Sequence, residues 1–104
     1  MTPTEKLVKK EFKIKTEAAL IELISSKYDA FYQNNFFSRK AQYVENIQQL
    51  IASINSLGEV YGMAMAEMRS GSMITSFAGQ VLSEVKGEYL QKRKALENHV
   101  RLFQ

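Results

Sequence analysis

The sequence predicts an all-α fold, an elongated antiparallel three-helix bundle with long coiled-coil-like helices. Three observations predict it. Apolar residues recur three and four positions apart along nearly all of the 104 residues. The single proline stands at position 3, so no later ring interrupts a helix. No stretch alternates apolar and polar residues as a half-buried strand does.

Thr2-Pro3-Thr4-Glu5 reads as a capping box with proline at the first helical position. From it the spacing predicts a first helix over about residues 3–33, with a stripe built on Leu7, Ile14, Ala18, Ile21, Tyr28 and Tyr32. Val8, Phe12, Leu20, Leu23, Ile24 and Phe31 widen the stripe until it faces two neighbours. Asn34-Asn35-Phe36-Phe37-Ser38 breaks the pattern, asparagine tolerating turn conformations and Ser38 being a good N-cap. The second helix is expected over about residues 39–69. Its Tyr43, Ile47, Leu50, Ile54, Leu57, Tyr61, Ala64 and Met68 alternate steps of four and three, a coiled-coil heptad. Ser70-Gly71-Ser72 ends it, with Gly71 as the stop. The third helix is expected over about residues 73–102, on Ile74, Phe77, Val81, Val85, Tyr89, Leu96, Val100 and Phe103. Short turns make consecutive helices antiparallel, and residues 1–104 form one helical domain. Val44, Ile51, Val60 and Met65 add apolar surface beside the heptad, so a homo-oligomer is the expected assembly.

Hydrophobic residues at 45% and charged residues at 24% are those of a globular domain and argue against disorder. With no cysteine, disulfide frameworks and thiolate metal sites are excluded. No apolar run approaches the roughly 18 residues of a membrane span. No apolar segment follows Met1, so a cytoplasmic chain is expected.

Catalytic chemistry finds few residues to use. His99, the only histidine, falls in the last turns of the third helix, where a solvated cation suits the helix dipole. Glu84 and Glu88 share a helix face, but no Glu-x-x-His motif accompanies them. No glycine-rich phosphate loop follows a strand. The expectation is therefore no catalytic residue, no cofactor and no metal site. The chain reads as a non-enzymatic helical protein–protein interaction module, such as an adaptor, assembly factor, small chaperone or inhibitor.

Phe36 and Phe37 sit side by side in a turn, where both cannot be buried in one monomer, and Tyr43 belongs to the same aromatic cluster. Met65 and Met68 belong to a methionine cluster near the second turn, and methionine suits adaptable binding surfaces. These five are the candidate partner-binding residues. Gly58, Gly62, Gly79 and Gly87 lie inside helices, each costing about 1 kcal/mol relative to alanine. Folding back at Gly71 brings their two stripes to the same height, so close helix packing, within one chain or between chains, is the expected reason. The alternative function is nucleic-acid binding through phosphate contacts. Its candidates are Lys6, Lys9, Lys10, Lys13, Lys92, Arg93 and Lys94, in a chain of net charge +3. Glutamates interrupt both groups, which favours a solvated helical face.

Overall fold

The computed structural model of the chain describes residues 1–32, 37–71 and 75–103, and the side chains of residues 1–30, 39–71 and 79–102. Every element among them is helical: α1 (Pro3–Glu11), α2 (Glu17–Tyr32), α3 (Phe37–Ser70) and α4 (Thr75–Phe103). No helix among the described residues is long and apolar enough to cross a membrane. The all-α prediction holds, but the three-helix count does not. The helix expected over residues 3–33 is two helices.

The break follows from where the core lies. In one straight helix Val8 and Ile24 would stand 16 positions apart, about 160° round the axis at 3.6 residues per turn. One core could not take both. Yet Val8 is 0% and Ile24 1% exposed, and both belong to the same cluster. The chain reconciles them by stopping at Phe12 and turning through Lys13, whose φ of 59° lies in the left-handed region. That turn lets both the Phe12 and the Ile14 N–H donate to the Val8 carbonyl, at 3.0 and 3.1 Å. A left-handed lysine costs about 1–2 kcal/mol. An unbroken helix would leave one of the two in solvent, and burying that one contributes roughly 1.5–3 kcal/mol, which offsets the turn. Thr16 then starts α2, its hydroxyl accepting the Ala19 N–H at 3.1 Å. The double-width stripe belongs to two helices, each with one buried face.

At the N-terminus the capping box forms as expected. The Thr2 hydroxyl accepts the Glu5 N–H at 3.1 Å, and the Thr2 N–H donates back to the Glu5 carboxylate at 3.4 Å. The next free amide of α1, that of Thr4, donates to Asn55 Oδ1 of α3 at 2.8 Å. The Thr4 hydroxyl, fully buried, donates to the Ile51 carbonyl at 3.3 Å. The Asn55 amide nitrogen donates to Glu17 at 2.7 Å, and the Thr2 hydroxyl reaches the same carboxylate oxygen. Five polar side chains thus fasten the start of α1 and the start of α2 to the middle of α3.

The helices form a rod of 55 × 23 × 16 Å. α3, of 34 residues, spans almost all of it, since 1.5 Å per residue gives about 51 Å. α4 returns antiparallel to it: Tyr43 meets His99 at one end, and Gly58 approaches Tyr89 farther along. Gly71, at φ 73°, ends α3 as expected. α2 is also antiparallel to α3, with Asp29 paired to Lys40 at 2.6 Å and Glu17 bound to Asn55. The core occupies the end where all four helices meet. Leu7, Val8, Leu20, Ile24 and Tyr28 come from the first two helices; Ile47, Ile51, Ile54, Leu96 and Val100 come from the long pair.

Lys13→Gly separates the broken helix from a continuous one. With the break, glycine relieves the left-handed conformation and raises stability by up to about 1 kcal/mol. In a continuous helix the same change lowers it by about 1 kcal/mol. Urea unfolding followed by circular dichroism reads the sign.

Candidate functional site

The first two helices start level with Asn55 and Gly58, and beyond that level the long pair continues. Residues 59–70 of α3 extend about 18 Å at the helical rise. Over residues 62–70 and 79–88 only Ala64 is buried. We call this two-helix extension the arm. The heptad stripe runs from Ile47 and Ile54 in the core to Met68 on the arm, where it emerges 44% exposed. Met65, half-buried, lies on the same stripe, and Val60 and Met63 are exposed on other sides of the helix, Met63 by 60%. The two methionines expected to bind a partner, Met65 and Met68, therefore lie on the arm. Phe36 and the Phe37 side chain lie outside the described residues.

Tyr43 departs from expectation. It packs against the core, with its ring 5.2 Å from that of Tyr28, and its hydroxyl and His99 Nδ1 are 2.7 Å apart. It is not an exposed anchor, because its ring closes the end of the core between α2 and α4. His99 is likewise not a freely solvated terminal residue. Burial holds its pKa below the ordinary 6.5, so the neutral imidazole is favoured, with Nδ1 hydrogen-bonded to the Tyr43 hydroxyl.

Within the chain, the glycine expectation is overturned at three of its four positions. A Cβ at Gly62, Gly79 or Gly87 would meet nothing within 4 Å. All three face outward, so the two small-residue stripes do not bring α3 against α4. Gly58 is a close approach, but to α1: a Cβ there would come within 2.7 Å of the Pro3 ring. The N-terminus of α1 is wedged onto α3 through that absent side chain.

The basic residues are redistributed. Lys13 belongs to the turn and not to a helical face. Arg93 is held by two carboxylates, Glu11 of α1 and Glu97 of its own helix, the latter at 3.5 Å. That ion pair carries Arg93 to α1, and with it the two basic groups expected at opposite ends of the chain come together. Lys6, Lys10 and Arg93 line one groove of about 370 Å³ between α1, α3 and α4. Tyr61 and Tyr89 line it as well, over a floor that includes Leu7 and Pro3. Lys9 and Lys94 are exposed and Lys92 half-buried, and none of the three lines the groove. A shallower groove of about 680 Å³ lies between α2 and α3, bordered by Ile21, Glu22, Asp29 and Gln48.

Sequence reasoning missed the groove and the Thr2–Glu17–Asn55 network, since both join residues far apart in the chain. The Thr16-Glu17 start signal was the one available clue, because it implies a new helix at that point. Among the described residues no three His, Asp or Glu side chains are placed to hold a metal ion. Comparison of the chain with protein-family models, with curated proteins and with solved structures returned no match.

The His99 environment sets a pH dependence. Its folded-state pKa is lowered, so as pH falls the unfolded chain takes up the proton first. Its contribution is complete above the ordinary histidine pKa and is lost on acidification through and below it. Urea midpoints at about pH 7.5 and pH 5.5 should fall more for the native chain than for His99→Gln. An equal fall contradicts a neutral, half-buried imidazole.

Proposed function

We propose that this chain is a non-enzymatic helical interaction module and that its arm is the surface a protein partner covers. One observation carries the reading. The apolar stripe of α3 that α1 and α2 cover where Ile47, Ile51 and Ile54 are buried continues along the arm through half-buried Met65 to exposed Met68, and Val60 and Met63 are exposed on other sides of the same helix. A two-helix hairpin has no third helix to hide such a stripe, and contiguous exposed apolar surface is what partner helices bury. Methionine adapts to a partner's contour at low cost. A second copy of the chain is among the partners such an arm accommodates, which keeps the homo-oligomer within this proposal. The adaptor, assembly-factor, chaperone and inhibitor roles all share this one physical activity.

Phosphate-backbone binding is the second reading. The meeting of Lys6, Lys10 and Arg93 supports it. Glu11 and Glu97 oppose it by occupying Arg93, which leaves Lys6 and Lys10 as the unpaired cations of the groove, fewer than a nucleic-acid track uses.

Met63→Ser combined with Met68→Ser tests the arm. Both side chains are exposed, so the melting temperature should move by only a few degrees. Affinity for a partner captured from source cells and identified by mass spectrometry should fall at least tenfold, about 1.4 kcal/mol. Unchanged affinity removes the arm from the interface. Loss in Phe36→Ser with Phe37→Ser instead places the interface around those two residues.

A further inference from the structure

The groove between α1, α3 and α4 has features that the fold does not use. Lys6 and Lys10 are one helical turn apart on the same face of α1, an arrangement in which like charges destabilise the helix by a few tenths of a kcal/mol. Neither ammonium has an ion-pair partner among the described residues, although Glu11 lies on the same short helix. Glu11 turns instead to Arg93, which brings a third cation to the groove. Among the described residues no carboxylate lines it. The chain therefore gathers positive charge at one concave place and leaves two of the three charges unneutralised.

The groove is also aromatic. Tyr61 comes from α3 and Tyr89 from α4; both are half-buried, and Tyr89 packs against the core that holds the helices together. Neither hydroxyl is hydrogen-bonded to a described residue. Burial raises the Tyr89 pKa above 10, so the hydroxyl stays a neutral donor at physiological pH. Pro3 and Gly58 line the groove in contact with each other, and any larger residue at position 58 would push α1 away. Its volume of about 370 Å³ lies within the range of roughly 300–1,000 Å³ typical of small-molecule sites.

We infer that this groove is a binding site for a small anionic ligand that carries a planar ring. The ring packs against Tyr61 and Tyr89, and the anionic group lies toward Lys6 and Lys10, with Arg93 held in place by Glu11 and Glu97. Aryl carboxylates, aryl sulfonates and mononucleotides share this chemistry. The inference is independent of the arm, whose described residues beyond Tyr61 take no part in the groove.

Three probes separate the parts of the site: 8-anilinonaphthalene-1-sulfonate has ring and anion, N-phenyl-1-naphthylamine has the ring alone, and inorganic phosphate has the anion alone. Fluorescence titration of the full chain should show saturable one-to-one binding of the sulfonate, at least tenfold tighter than of the neutral amine. Phosphate should displace it only weakly. Lys6→Gln with Lys10→Gln should weaken the sulfonate at least tenfold and leave the amine unchanged. Lys9→Gln with Lys13→Gln removes the same net charge outside the groove and should change sulfonate affinity less than twofold. Mononucleotides should compete with the sulfonate no more weakly than short single-stranded oligonucleotides do. Equal loss in both lysine pairs reduces the effect to net charge and overturns the inference. So does loss in Met63→Ser with Met68→Ser, which would place the ring on the arm, or competition that strengthens with oligonucleotide length, which would make the groove part of a polymer track. Circular dichroism of each variant confirms that the helices remain.

Discussion

The turn at Phe12–Thr16 is the constraint on which the rest of the molecule depends. Without it Val8 and Ile24 face opposite sides of one helix, and one of them must meet solvent. With it both enter a single core, at the cost of one left-handed lysine. The energies offset each other: one strained residue against one further aliphatic side chain removed from water. The turn also leaves α1 short enough to lie across α3, where Thr4 finds Asn55 and Pro3 finds Gly58.

Both candidate sites follow from that placement. A continuous first helix of about 30 residues would reach roughly 45 Å and cover most of the long pair. Two short helices cover only the end near Ile47 and Val100, and the arm is what they leave bare. The groove exists because α1 crosses beside Tyr61 and Tyr89 with its lysines toward them. Arg93, by holding Glu11, ties the end of α1 to α4 and keeps the groove's third wall in place. The Thr2–Glu17–Asn55 network does the same for the opposite end of α1. Helix placement, and no local motif, positions these surfaces.

Much of the fold was legible in the sequence because its signals are local. The capping box at Thr2 and Glu5, the stop at Gly71 and the heptad from Tyr43 to Ala64 depend on neighbours within one turn, and each appears as read. The break between α1 and α2 was not legible from spacing, since Leu7, Ile14, Ile21 and Tyr28 keep a perfect seven-residue step straight through it. Only the burial of Val8 together with Ile24 reveals the two faces as one core. The glycines misled for a related reason. Equal height along two helices does not fix rotation about their axes, and Gly62, Gly79 and Gly87 are rotated outward. Tyr43 and His99 were likewise placed correctly along the chain, but their exposure depends on contacts across three helices. Met65 and Met68 were read from composition, and their place on the arm gives that reading a physical setting.

The central claim is that α1 and α2 stabilise one end of a long helical pair and leave the other end uncovered. Residue-resolved native-state hydrogen exchange, at a concentration where the chain is monomeric, tests it most directly. Amides of residues 47–54 and 96–100 should exchange only through global unfolding, and the Ile14 amide should be protected by its bond to Val8. Amides of residues 62–70 and 79–88 should open locally, with protection at least a hundredfold lower. Uniform protection along the whole of α3 would contradict the account.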